Sequence, residues 1–212
     1  MSGIARDELE LLASEGRIER VARRAVVPLD GPTVMIVMDG WFRVFRNAAF
    51  VRDVTLFLAK SGDVLAPSAL FGERSAESGA EAIADSTVLF LSGEALERCA
   101  DRDPGLYMQI AQNLGGRVTR VQMKLEAFSR STVEARVAGA LLEIADDFGV
   151  PGALGTRLEL PLSQEDLANL AGTTRESCSQ AVATFARRGF VKGSRLRGLQ
   201  IIDRGALAAL LP

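Results

Sequence analysis

Residues 160–203 read LPLSQEDLANLAGTTRESCSQAVATFARRGFVKGSRLRGLQIID, and this stretch decides how the rest of the chain is understood. Ser163 followed by Gln164, Glu165 and Asp166 has the form of an N-cap with an acidic first turn. It opens a short helix with Leu167 and Leu170 facing inward and a stop at Ala171-Gly172. Thr173 or Thr174 caps a second helix, whose inward face is Cys178, Ala181, Val182 and Phe185 and whose other face carries Arg175, Glu176, Ser179 and Gln180. Two short helices joined at a glycine predict a helix-turn-helix. The following GFVKGSRLRGLQIID alternates like a hairpin, with glycines bracketing a tip that holds Arg195 and Arg197, and so predicts a wing.

Charge singles out the same stretch. Between Gly172 and Ile202 six basic residues (Arg175, Arg187, Arg188, Lys192, Arg195, Arg197) stand against one acid, Glu176, in a chain of formal net charge −2. A local excess of that size in an acidic protein is the electrostatic footprint of DNA binding. The bland alternative makes Arg187 and Arg188 ordinary complements of a helix C-terminus and the hairpin a solvated one.

Upstream, TVEARVAGALLEIADDFG predicts a helix with Val133, Val137, Ala140, Leu141 and Ile144 inward and Gly149 as its C-cap, followed by a loop over 149–156. Before that, Leu106, Ile110, Leu114, Val118, Val121, Leu125 and Phe128 recur at helical spacing after an Asp103-Pro104 start, a seam of about seven turns. The seam has two readings. It packs on its own neighbouring domain, or, given the late 4-3-4-3 rhythm, it is the interface of a parallel homodimer, which the length of the helix favours.

From Ala25 to about Leu91 the texture is short β-rich runs: AVVPL, VMIVMDGWFRVF, DVTLFLAKSGDVL and STVLFL. Turn residues separate them, as expected of an antiparallel roll or jelly roll. Residues 4–22 carry a weak helical pattern and read as an opening helix. The fold class is therefore α+β: a β-roll domain over 1–102, a dimerisation helix over 103–131 and a winged helix-turn-helix over 132–212.

Composition removes most enzymatic readings. The chain has no histidine, which excludes histidine-dependent triads, zincin sites and His-ligated haem. Its two cysteines, Cys99 and Cys178, are too few for a zinc or iron–sulfur site and read as small hydrophobes. No apolar run reaches the roughly 18 to 20 residues of a membrane span. A cytoplasmic regulator without catalytic residues, cofactor, metal or membrane partner is the expectation.

The whole chain resembles the CRP/FNR family of bacterial transcription regulators. LSQEDLANLAGTTRESCSQAVATFARRGFV is similar to the family's LTxxDLAxxLGxTRETVSRxLxxLexxGlI, and SGDVLAPSALFG resembles its GDxFGExALL cassette. The resemblance implies that the second helix of the pair enters the major groove. There Arg175 would fork onto a guanine and Glu176 would accept from a cytosine amino group. Gln180 stands where most members carry arginine, so the half-site should differ from the commonest ones. Thr174, Ser179, Lys192, Arg195 and Arg197 would contact phosphates of an inverted-repeat duplex. Contact with RNA polymerase, and hence activation, follows the family's habit; the 149–156 segment lies where some members make that contact.

The cyclic-nucleotide members grip ribose and phosphate with a Gly-Glu and a later Arg-Ser pair. Laid on that cassette without gaps, this chain has Ala66-Pro67 and Ala76-Glu77 instead, and the adenine-contacting hydroxyl pair falls at Val121-Gln122. Losing the arginine removes the bidentate partner of the phosphate, and Glu77 repels it. Arg74 is the one nearby cation that could restore an anion site, or else it is a solvated loop tip. The resemblance thus implies a regulator that does not depend on cyclic AMP. One alternative is a regulator gated by an unidentified small molecule or redox effector, and another is a protein-interaction module that does not bind DNA.

Overall fold

The computed structural model describes residues 6–29, 31–48, 51–71, 78–130, 132–159, 162–193 and 198–211. The chain divides into two compact units, 1–121 and 122–212.

In the first unit, helix α1 (Arg6–Glu15) precedes eight strands: β1 (Arg17–Val21), β2 (Val26–Pro28), β3 (Thr33–Asp39), β4 (Trp41–Ala48), β5 (Val51–Lys60), β6 (Val64–Leu65), β7 (Ser78–Ala82) and β8 (Ser86–Ser92). They form two antiparallel four-stranded sheets, ordered β1-β8-β3-β6 and β2-β7-β4-β5. The sheets share a core. Met35 and Val37 from one meet Phe42, Val44, Phe57, Ala80 and Ala82 from the other. Burying a side chain the size of Phe42, which is fully enclosed, is worth about 1.5–3 kcal/mol.

The first sheet's outer face is covered by α1, by α2 (Gly93–Arg102) and by the start of α3 (Gly105–Arg130). Leu12, Val34, Ile36, Leu89, Leu91, Leu96 and Cys99 pack there with Leu106 and Ile110. On the second sheet a charged cluster is satisfied internally. Arg43 on β4 pairs with Glu81 on β7 at 2.6 Å, Arg24 reaches the same carboxylate at 2.9 Å, and the Arg43 guanidinium lies 4.6 Å from the centre of the Phe45 ring. Burial raises the Glu81 pKa, but the two arginines outweigh it and hold the carboxyl below its ordinary value.

The second unit contains α4 (Val133–Phe148), β9 (Gly149–Gly152), β10 (Gly155–Leu158), α5 (Gln164–Leu170), α6 (Arg175–Arg187), β11 (Val191–Lys192), β12 (Gln200–Ile201) and α7 (Arg204–Ala208). Its sheet runs β11-β12-β10-β9, and α4 buries Val137, Ala138, Leu141 and Ile144.

Four expectations need correction. The opening helix stops at Glu15, because Arg17–Val21 pairs residue by residue with β8; Ile18, read as part of that helix, is half exposed on β1. Strand β7 (Ser78–Ala82) lies outside the β-rich runs that the sequence marks. Its SGAEA sequence lacks β-branched and aromatic residues, yet small side chains are what fit between β2 and β4, with Ala80 and Ala82 fully buried.

Residues 149–156 are not a loop but lie within the β9–β10 hairpin. Gly155, at φ +129°, brings the chain so close to β12 that a Cβ would lie 2.0 Å from the Ile201 carbonyl oxygen. Finally, Leu106 and Ile110 are 1% and 5% exposed within their own unit's core, and Leu114 packs against the same cluster. Leu106 and Ile110, enclosed there, are not available as dimer-interface residues, whereas Leu114 is only partly buried. Periodicity reveals an apolar face but not what covers it.

Candidate nucleic-acid interface

The recognition element is built from its caps inward. Ser163 Oγ accepts from Asp166 N at 3.1 Å while the Asp166 carboxylate accepts from Ser163 N at 2.8 Å, a reciprocal box that fixes where α5 starts. Helix α5 ends at Leu170 with Ala171 as its C-cap, and Gly172 takes φ +59°, the left-handed step that lets the chain double back without a side-chain clash. Thr173 N returns to Ala168 O at 2.9 Å. Thr174, rather than Thr173, caps α6, its Oγ1 accepting from Ser177 N at 3.2 Å.

With both ends fixed, the register of α6 is set by burial. Cys178 and Phe185 are fully enclosed, Ala181 and Val182 nearly so, and Phe185 stacks on Phe190 at 6.3 Å between ring centres. Arg175, Glu176 and Gln180 consequently face solvent, Thr174 is exposed at the helix start, and Ser179 is half-buried beside them. The N-terminus of a helix carries partial positive charge, so this exposed row suits a polyanion. Burial pushes the Cys178 thiol up to about 12, which removes it from thiolate chemistry, and burial together with the nearby Glu15 carboxylate raises Cys99.

Strands β11 and β12 pair Val191 with Ile201 and Lys192 with Gln200, while Gly193 and Gly198 take positive φ at either end of the connection. Lys192 is exposed. Arg195 and Arg197 lie outside the described residues, as do Arg74, Ala76 and Glu77.

Sequence reasoning missed one residue that holds this element and one that lies beside it. Arg136, on α4, donates its Nε–H to the Ala171 carbonyl oxygen at 3.2 Å and so secures the turn between α5 and α6. Glu134, two residues earlier, faces Arg188 at the far end of α6 at 3.9 Å. The available signal was an arginine set among Ala135, Val137 and Ala138, all of them buried.

In the first unit, Ala66 adopts φ +52°, a conformation that favours glycine, and Pro67 opens a 3₁₀ turn, Pro67–Phe71. Along α3, Val118 is 57% exposed and Val121 39%, and Gln122 also faces solvent; nothing lies within 4 Å of where a Cβ on Gly115 would sit. The side chains of Leu125 and Phe128 are outside the described residues. Among the described residues no group of acids and cysteines could hold a metal ion, and no helix is long and apolar enough to cross a membrane.

A two-sheet roll, a long helix and a winged helix-turn-helix define a two-unit regulator with a DNA-binding domain. Two family models match: a cyclic nucleotide-binding domain over residues 30–103 and a Crp-like helix-turn-helix domain over 135–210. Over 172 residues the chain is 27% identical to a CRP-like cAMP-activated global transcriptional regulator of Mycobacterium tuberculosis, covering 81% of this chain and 75% of that one. A CRP-family transcriptional regulator from Thermus thermophilus superposes with a TM-score of 0.75 at 26% identity, covering 90% of this chain and 95% of the other. A CooA variant from Carboxydothermus hydrogenoformans shares the fold at 0.78 and 22% identity, over 93% and 88% of the two chains. The chain belongs to the CRP/FNR family of transcription regulators, which are not enzymes.

Proposed function

We propose that this chain is a cytoplasmic homodimer that reads an inverted-repeat DNA site without cyclic AMP. The carrying observation is the solvent-facing row Arg175, Glu176, Gln180 on a helix whose opposite face is locked into the core. Arg175 forks onto a guanine, Glu176 accepts from a cytosine amino group, and Gln180 selects adenine or makes a single bond. Thr174, Ser179, Lys192, Arg195 and Arg197 grip phosphates and contribute affinity without sequence. A two-fold dimer sets the half-sites about one helical turn, roughly 34 Å, apart.

The dimer is assigned to the exposed later part of the α3 seam. Val118 and Val121, two exposed apolar side chains in succession, continue in sequence to Leu125 and Phe128 at steps of three and four. Burying them against a second copy removes apolar surface that α3 otherwise leaves in water.

Independence from cyclic AMP rests on the cassette. Pro67 offers neither a carboxylate nor a backbone N–H where the nucleotide-binding members use glutamate, and Ala66 keeps the backbone bend without the glycine. Activation through RNA polymerase is assigned to the β9–β10 hairpin, whose tip exposes Leu154 at 57%. The test is titration of ligand-free protein onto random-sequence duplex at two salt concentrations. Tight, salt-dependent retention unaltered by added cyclic AMP supports the reading; no retention, or retention only with the nucleotide, refutes it.

A further inference from the structure

Helix α3 packs its first turns through Leu106, Ile110 and the partly buried Leu114, and a polar residue is enclosed among them. Asn113 is a polar residue 7% exposed, and it meets Asp63, itself 6% exposed, on the turn that leads into β6. Asn113 Nδ2 donates to Asp63 Oδ1 at 2.8 Å, and Val64 N donates to Asn113 Oδ1 at 3.4 Å. The other Asp63 oxygen accepts from Lys60 N at 2.9 Å and shapes the turn. One helical turn further on, Arg117 donates to the Val64 carbonyl oxygen and lies 4.2 Å from the centre of the Phe57 ring. Both backbone groups of Val64 are thus engaged by α3, and Val64 is two residues before Ala66-Pro67, where the cassette begins.

Packing alone would be served as well by apolar residues at both 63 and 113, because a buried polar pair contributes little net stability over a well-packed apolar pair. What such a pair supplies is register, since an apolar stripe tolerates sliding and rotation whereas these hydrogen bonds fit one position. We propose that Asp63, Asn113 and Arg117 form a built-in latch that fixes the rotation and height of α3 on the strand entering the cassette, in place of a bound effector. The latch sets the rotation at which the later turns of α3 run on past the packed Leu106 and Ile110, and so whether Val118 and Val121, further along the same seam, meet their counterparts. These are positioning residues. The inference rests on the effector-free reading above and specifies what replaces the effector.

The test uses full-length protein and measures operator affinity by fluorescence anisotropy, with hydrogen exchange of the amides of 106–121. Asn113→Ala lowers affinity about tenfold, within the range of ordinary coupling between sites, and speeds exchange on α3 with α6 amides unchanged. Asn113→Asp sets two carboxylates together and does more harm. Combining it with Asp63→Asn exchanges donor and acceptor and restores binding. Arg117→Met weakens binding and Arg117→Lys, which keeps a donor, recovers part of it, so the question stays answerable if Asn113→Asp does not fold. Folded Asn113→Ala and Arg117→Met proteins with wild-type affinity and exchange would overturn the latch, as would an exchange pair no better than Asn113→Asp. Wild-type protein that binds no duplex refutes the DNA reading itself, an outcome distinct from these.

Discussion

In the winged unit, the side chains assigned to DNA stand in solvent on a helix whose caps and buried face leave it no freedom; in the roll, polar side chains turn inward and satisfy one another. Arg175 and Gln180 await an external partner, whereas Arg43 closes on Glu81 and Asn113 on Asp63. The difference teaches that polar groups serve two ends. Exposed ones can meet a partner only if the helix that carries them is held rigidly. Those paired in the interior instead tie elements together, as Glu81 joins β7 to β4 and Asp63 joins the turn before β6 to α3.

The strongest way to break this contrast is to loosen the rigid side. Phe185→Ala removes a fully buried ring and its stack on Phe190, costing about 3–5 kcal/mol. Against the roughly 5–15 kcal/mol of a typical domain this lowers the melting temperature sharply and abolishes DNA binding. A variant that melts and binds as wild type would mean that burial does not hold α6. Arg175→Ala leaves the fold intact and costs about 1–3 kcal/mol of operator affinity, with relaxed preference at one base pair of each half-site. An unchanged selected motif would contradict the assignment.

Val118→Asp places a charge on the exposed later part of the α3 seam and converts dimer to monomer in sedimentation, with loss of tight binding. An intact dimer would move the interface elsewhere. The smallest effect concerns the inward-turned charges. Because Glu81 is held below its ordinary 4.5, its contribution to stability is present above that value and is lost as pH falls through the lowered folded-state value. Melting temperatures recorded down through the acid range show this loss in wild type and less of it in Glu81→Gln. Parallel profiles would dismiss the ion pairs as stabilising.

The helix-turn-helix was legible because its determinants are local. Ser163 and Thr174 cap within three residues, Gly172 marks the turn, and the 3.6-residue period of Cys178, Ala181, Val182 and Phe185 names the inward face without any knowledge of the partner. What escaped depends on distant chain. Strand β7 has no propensity of its own and exists because β2 and β4 flank it. Gly149–Gly152 has a loop's composition, yet β10 gives it pairing. The α3 seam was visible, but only the packing of Leu106 and Ile110 against the roll shows that its first turns are covered, whereas Val118 and Val121 further along it are exposed. Arg136 could not be placed because its acceptor, the Ala171 carbonyl, lies 35 residues away.

The most direct test is selection of bound sites from a random duplex pool by the full-length, ligand-free protein. The account predicts enrichment of a motif with dyad symmetry, half-site centres about one helical turn apart and a guanine read by Arg175, obtained equally with and without cyclic AMP. A pool that emerges without any motif, or a motif that appears only when the nucleotide is added, would contradict it.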